Sequence, residues 1–296
     1  MDVYLSSPAE KALDEVITRW PGIKLNILLT IARMPSDIEI YMTRYEGIIN
    51  KVALDCGMFS DHNSNLDISK PQLFSRHSTH AKYNRSRYEI VFSFDESFEP
   101  DGFEENQVHL AKLEELGIAD VTPVIHNLKS FEVNTFIRKG YGSVAIGKQK
   151  RKTDPKLLFP KVFQLNHYGV DVHLFGITEF DLIVGCPATS CDSKSWLDDA
   201  KTGVIRFWNT TKPEENKTDI LYVPNEQGKI KPGMQVLWEY KDLDEFKRFI
   251  GNYGLTVYQL AGLQGYLYRQ FLGILYYRTL EDVVTEMHRD NPLFPK

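Results

Sequence analysis

Cysteine is scarce in this chain: Cys56, Cys186 and Cys191 are the only three in 296 residues, an odd number with no Cys-x-x-Cys pair. That argues against a disulfide framework and against a zinc knuckle. His-x-His and His-Glu-x-x-His spacings are missing, so the reading assigns no metal and no cofactor. No Gly-x-Gly-x-x-Gly follows the first apolar run, which disfavours a dinucleotide-binding open sheet. Met1–Pro8 has neither a basic flank nor a long apolar core, and no window approaches a membrane span. The expectation is a cytoplasmic protein with no membrane association. Strong charge is lacking too. A net −5 does not favour a nucleic-acid coat protein, although local basic patches still bind phosphate. There is no internal repeat and no low-complexity segment.

What is present centres on Asn50–Asp61. Val52, Ala53 and Leu54 are too short a run for a helix and have the character of a buried parallel strand. The run ends on Asp55, and Gly57 lets the backbone turn sharply. Similar runs recur at Lys24–Ala32, Arg87–Asp95, Val121–His126, Ser143–Gly147, Asp171–Gly176, within 181–193, and at Val204–Trp208. Helical patterns alternate with them: Pro8–Trp20, Ser36–Tyr45 with Ser36 as N-cap, Glu104–Leu116 before Gly117, Phe131–Lys139 before Gly140, and Asp154–Tyr168 before Gly169. About eight strand candidates in this rhythm predict a (β/α)8 TIM barrel over residues 1–209, with a doubly wound sheet as the alternative. Residues 210–296 read as a polar excursion with a hairpin (Thr210–Pro232), then a C-terminal helical appendage (Leu243–Met287) packed on the barrel. Its tyrosines, Tyr253, Tyr258, Tyr266, Tyr268, Tyr276 and Tyr277, fit core packing better than a base-stacking platform.

In a parallel barrel the C-terminal strand ends converge on one face, where chemistry is done. Asp55, Asp95 and Asp192 stand at such ends, and His126 follows the Val121 strand. His173 is also available, but it lies mid-strand. Two carboxylates on one rim suit glycosyl transfer, one acting as nucleophile while the other moves protons. They also suit a divalent metal, which would prefer histidines beside them. The bland alternatives are an aspartate that caps a turn and a hydrogen-bonded structural histidine.

Leu54-Asp55-Cys56-Gly57-Met58-Phe59-Ser60 resembles the Asp-Ser-Gly-(Gly/Ala)-Phe-(Ser/Thr) motif of tRNA-guanine transglycosylases and their phage relatives, which insert 7-deazaguanine bases into DNA. The resemblance continues through Asn106, Leu116-Gly117, Pro123–His126, Ala145–Gly147, Val172–Thr178 and Ser190–Trp196. It spans roughly Leu25 to Trp208, and its order and spacing fit the phage-type, queuosine-like branch best. It implies a glycosyltransferase that exchanges guanine for a 7-deazaguanine, through Asp192 as nucleophile and Asp55 as general acid/base. Asp95 would take the N–H groups of the purine edge. His126, Phe59 and Ser60 would complete the substrate pocket, and Gly147 and Gly176 would let backbone approach the flat base. The compartment would be the host cytoplasm if the chain is phage-encoded. Cys56 and Met58 replace smaller residues of the motif, and Met58 is expected to narrow the space beside the base. The family's Cys-x-Cys-x-x-Cys…His zinc site is absent, as is any obvious domain for gripping a tRNA, which favours DNA, or a divergent substrate, over tRNA as the partner.

Two basic segments suit a polynucleotide. Lys148, Lys150, Arg151 and Lys152 follow a strand end, and Arg85 and Arg87 close an earlier basic stretch from Arg76. The readings set against base exchange are a carboxylate-dependent metal hydrolase or nuclease, and a catalytically silent relative that binds nucleotide or nucleic acid.

Overall fold

The apolar runs do form parallel strands, but the ring they make starts earlier in the chain than the hydrophobic pattern predicts. The computed structural model describes residues 1–58, 68–98, 102–147, 153–224 and 230–294. One sheet contains β1 (Asp2–Ser6), β2 (Leu25–Thr30), β3 (Ile49–Asp55), β4 (Ile90–Phe92), β5 (Val121–Thr122), β6 (Val124–Ile125), β7 (Ser143–Ile146), β8 (Asp171–Leu174) and β9 (Ser190–Ser193). Each pairs in parallel with its neighbours, and β1 lies between β2 and β9. The two ends of this sheet, β5 and β6, are separated in the chain by Pro123 alone. Proline has no N–H to give a ladder, but its carbonyl still accepts from the Ala145 amide at 2.8 Å. The two short strands are therefore halves of one stave, and the sheet closes as a (β/α)8 barrel.

Two strand assignments change. Met1–Pro8 supplies the first stave, because Val3, Tyr4 and Leu5 are all buried, although three apolar residues make a weak sequence signal. Val204–Trp208 (β10) is not a stave. It pairs antiparallel with Thr218–Tyr222 (β11), which pairs in parallel with Met234–Val236 (β12), in a separate three-stranded sheet. Its apolar run is as strand-like as the others. Once β1 closes the ring against β9, the barrel has no edge left for it.

Helices α1 (Glu10–Arg19), α2 (Ile38–Tyr45), α3 (Lys70–Asn84), α4 (Phe103–Glu115), α5 (Glu132–Lys139), α6 (Pro155–His167), α7 (Phe180–Val184) and α8 (Ser195–Lys201) accompany the staves. The N-cap of α2 is Asp37, not Ser36, and it accepts from the Ile40 amide at 3.0 Å. Most of the Arg76–Arg87 stretch is the body of α3. A capping box of Ser69 and Gln72 opens that helix, and Leu73, His77 and Ala81 form its buried stripe.

Side chains alternate across the staves. Tyr4, Leu28, Ala53, Phe92, Val124 and Ala145 fill the barrel interior, with Ile90 and Phe175 against them. The opposite faces build a larger apolar shell under the helices. After the second sheet come α9 (Leu243–Gly251), α10 (Val257–Ala261) and α11 (Gly265–Asp290). The last packs on α1, α7, α8, β1 and β10, so the chain ends against the stave with which it begins. Tyr276 and Tyr277 are core residues of α11, whereas the exposed Tyr258 stacks on Trp238. No helix among the described residues is long and apolar enough to cross a membrane.

Candidate active site

All staves run the same way, so their C-terminal ends share one rim. Asp55 closes β3, His126 follows β6, Gly147 follows β7, and Asp192 lies in β9. The carboxylates sit in unlike surroundings. Asp192 is 7% exposed and held on both oxygens: Ser6 Oγ donates to Oδ2 at 2.6 Å, and the Gly176 amide donates to Oδ1 at 2.8 Å. Gly176 has φ +60°, the left-handed region that glycine adopts without strain. Here the residue aims its amide at the carboxylate. Beneath Asp192, His173 Nε2 lies 3.6 Å from Oδ1 and makes no hydrogen bond of its own, while Nδ1 is 2.9 Å from Ser190 Oγ. Phe92 and Phe175 pack against the imidazole, with ring centroids 4.7 and 4.8 Å away.

Asp55 accepts a hydrogen bond from the Gly57 amide at 3.1 Å. It is half-buried by area, yet protein packs densely enough around the carboxyl that burial is the largest influence on its titration. Burial pushes it up to about 7, and the charges of Asp192 and Asp95 add to the rise. The Gly57 amide and Cys56 oppose it. Gly57 has φ +88°, and a Cβ there would fall 2.6 Å from Ala32 Cβ, so the turn that presents Asp55 needs glycine.

Asp95 is buried and paired. Ser93 Oγ donates to Oδ1 at 2.8 Å, and His126 Nε2 lies 3.0 Å from Oδ2. For His126, burial works against the charged form, but the hydrogen bond and charge of Asp95, with Glu132 nearby, raise its pKa above the ordinary value. The His126 amide also donates to Glu132 Oε2 at 2.8 Å. Each Asp95 oxygen keeps a further lone pair for an incoming donor. A Cβ on Gly147 would lie 2.9 Å from His126 Nδ1, so this glycine makes room for the imidazole.

The structure thus brings Asp55, Asp95, His126, Gly147, Gly176 and Asp192 to one rim. It does not bring Arg85 and Arg87 there. They precede β4 and lie at the opposite mouth, where Arg85 Nε donates to the Ala119 carbonyl at 2.7 Å and Arg87 pairs with Glu39 at 2.7 Å. A basic residue before a strand cannot reach the far end of that strand. A cavity of about 780 Å³ opens at the opposite mouth, lined in part by Arg85, Lys51 and Tyr4, and reaches inward as far as His173, the residue beneath Asp192. Phe59, Ser60, Lys148, Lys150, Arg151 and Lys152 lie outside the described residues. Met58 does not line the barrel. It is fully buried in the outer apolar shell, as is Cys56, whose thiol burial holds well above its ordinary pKa.

Sequence reasoning missed Ser6 and Ser93 and passed over His173. Ser6 ends an apolar run just as Asp55 does, and that was the available signal. Among the described residues no group of three or more His, Cys, Asp or Glu side chains is arranged to hold a metal ion.

No family model matches the chain, and no curated protein matches it. Among solved structures, it is similar to a protein from Coccidioides immitis designated a fructose-1,6-biphosphate aldolase, with TM-score 0.50 and 10% identity over 96% of this chain and 90% of that one. At that identity the likeness concerns the barrel fold alone.

Proposed function

We propose that the protein is a base-exchange glycosyltransferase that replaces guanine in DNA by a 7-deazaguanine derivative. The observation that carries the reading is a rim with two carboxylates in contrasting settings: Asp192 clamped by two donors, and Asp55 titrating at about 7. Paired carboxylates whose environments differ are what an acid/base and nucleophile partnership requires. The division of roles follows the resemblance in the motifs around Asp55 and Asp192.

Asp192 attacks C1′ of a flipped-out guanosine nucleotide as the bond to the base breaks, forming an aspartyl-nucleotide ester. Ser6 and Gly176 fix the direction of the carboxylate. Asp55, protonated in part near neutral pH, gives its proton to the departing guanine. It then takes a proton from the incoming deazapurine, whose nitrogen attacks C1′ and expels Asp192. Asp95 accepts N–H donors from the edge of the base, and His126 orients it through the 3.0 Å contact.

The test is base release from guanine-labelled duplex DNA and, separately, from tRNA, with and without 7-cyano-7-deazaguanine, each in the presence and in the absence of chelator. The expected result is label loss from DNA that requires the deazapurine, and at least a 10³-fold loss of rate in Asp192→Asn and in Asp55→Asn. Loss from neither polymer would overturn the reading. Loss that chelator abolishes would turn it toward a metal-dependent hydrolase.

A further inference from the structure

Below Asp192 the barrel carries a histidine to which the base-exchange steps assign no role. Staves β8 and β9 pair in parallel with His173 opposite Ser190, so these two side chains stand together on one face of the sheet. Asp192 lies two residues beyond Ser190 on β9, and side chains two apart on a strand share a face. The imidazole therefore spans the step between them: Nδ1 is 2.9 Å from Ser190 Oγ, and Nε2 is 3.6 Å from Asp192 Oδ1. Its surroundings are otherwise rings, with Phe92 and Phe175 packed on it and Tyr4 edge-on at 6.1 Å. Nε2 is buried without a hydrogen-bond partner, which costs a fold stability that an apolar side chain would not forfeit. The protons can be placed by elimination. A bare Nε2 would set its lone pair against the carboxylate, whereas an Nε2–H points the positive end of its bond at Oδ1. The neutral ring then accepts the Ser190 hydroxyl at Nδ1, and the doubly protonated ring donates at both nitrogens. In either form Nε2 carries a proton.

We propose that His173 is a positioning residue for Asp192: Ser190 fixes the ring so that Nε2–H faces Oδ1, and Oδ2 is left as the atom that attacks C1′. Each carboxylate oxygen offers two lone-pair positions. On Oδ1 the Gly176 amide takes one at 2.8 Å, and His173 stands over the same oxygen. The 3.6 Å separation is longer than a hydrogen bond, so in the resting site the attraction is that of a bond dipole for a charge, strengthened by the apolar rings around it. Oδ2 accepts from Ser6 Oγ at 2.6 Å. A serine hydrogen rotates off its acceptor, whereas a backbone amide cannot turn away. As Oδ2 bonds to C1′, the pair of the glycosidic bond leaves with guanine, which takes the Asp55 proton. Oδ1 becomes the carbonyl oxygen of the ester and keeps both of its donors. This inference rests on the base-exchange reading for the identity of the reacting centre, but not for the position of the His173 proton.

The experiment has two arms. Nitrogen-15 NMR of the imidazoles in the full-length chain, with the His173 signals assigned by their loss in His173→Gln, reads the proton directly. The expected result is a protonated Nε2; a bare Nε2 overturns the inference. The second arm is base release from duplex DNA by two variants of similar polarity. His173→Asn places its amide where Nδ1 was, within reach of Ser190 but not of Asp192, whereas His173→Gln places an amide donor where Nε2 was. His173→Asn is expected to lower kcat by about ten- to a hundredfold with the KM for DNA and for the deazapurine unchanged, and His173→Gln to stay within about threefold of wild type. Equal rates in the two variants, whether both lowered or both unchanged, overturn the inference, because a merely structural histidine has no preference between them. Base exchange with a bare Nε2 refutes the positioning role and leaves the enzyme reading standing. A protonated Nε2 in a chain that exchanges no base supports the donor at Asp192 and refutes the enzyme reading.

Discussion

At Asp55, burial and two neighbouring carboxylates act on one titration, and the consequence reaches beyond catalysis. The folded protein holds this proton up to about 7, whereas an unfolded aspartate releases it near 3.8. A carboxyl raised on folding stabilises the native state only while it stays protonated. Its presence therefore costs stability progressively as pH climbs from the unfolded value through about 7, by up to roughly 4 kcal/mol. Asp55→Asn removes that cost. In urea titrations the variant is expected to match the wild type near about pH 4 and to exceed it by a kilocalorie or more near about pH 8. A stability difference that does not change with pH would mean that Asp55 does not titrate near neutrality. The site keeps a destabilising acid because the proposed chemistry needs a group that is half protonated near neutral pH.

At the scale of the element, the turn after β3 shows how much of the site local chemistry specifies. A strand ending in aspartate and followed by glycine was readable from the Leu54–Gly57 stretch. The glycine is required twice over, by φ +88° and by the 2.6 Å approach of its missing Cβ to Ala32. Gly57→Ala is expected to destabilise the fold by about 3 kcal/mol in urea unfolding. Gly22→Ala, at φ +85° with open space around the Cβ, should lose about 1 kcal/mol. Equal losses would show that Ala32 yields and that the turn is not sterically locked. Helix ends were similarly legible, because Gly117, Gly140 and Gly169 all adopt positive φ just past their helices. Helix α3 was not, because its buried stripe includes His77 and its surface is basic, so its sequence reads as a charged loop. Which end of a stave Arg85 occupies follows from chain direction alone, and that could have been reasoned from the predicted strand it precedes.

For the whole molecule, closure depends on residues nearly 300 positions apart. Glu281 on α11 accepts from the Val3 amide at 2.7 Å and from Asn26 Nδ2 at 2.9 Å, and Thr285 Oγ1 accepts from the Met1 amino group at 3.0 Å. Arg269 at the other end of α11 donates to the Ala200 carbonyl at 3.0 Å. This one helix covers apolar surface of β1, α1 and β10 that would otherwise face water. A chain truncated before Gly265 is expected to retain helical far-UV circular dichroism, to lose its near-UV signal and to melt without a cooperative transition. A sharp, native-like melt from the truncated chain would show that the barrel stands without α11.

By itself the sequence determined the α/β rhythm, the helix stops and the carboxylates placed where strands give way to loops. Each of these depends on a few neighbouring residues, through periodicity, capping and turn chemistry. Only the tertiary structure decided which runs became staves, because Val3–Leu5, the weaker strand signal, pairs with β9 and closes the ring, whereas the stronger Val204–Phe207 run pairs antiparallel with β11 outside it. It also decided that Asp192 is clamped by Ser6, a residue 186 positions away, and that Asp55 feels the charges of Asp95 and Asp192. Barrel closure sets those distances, and no local stretch of chain encodes them.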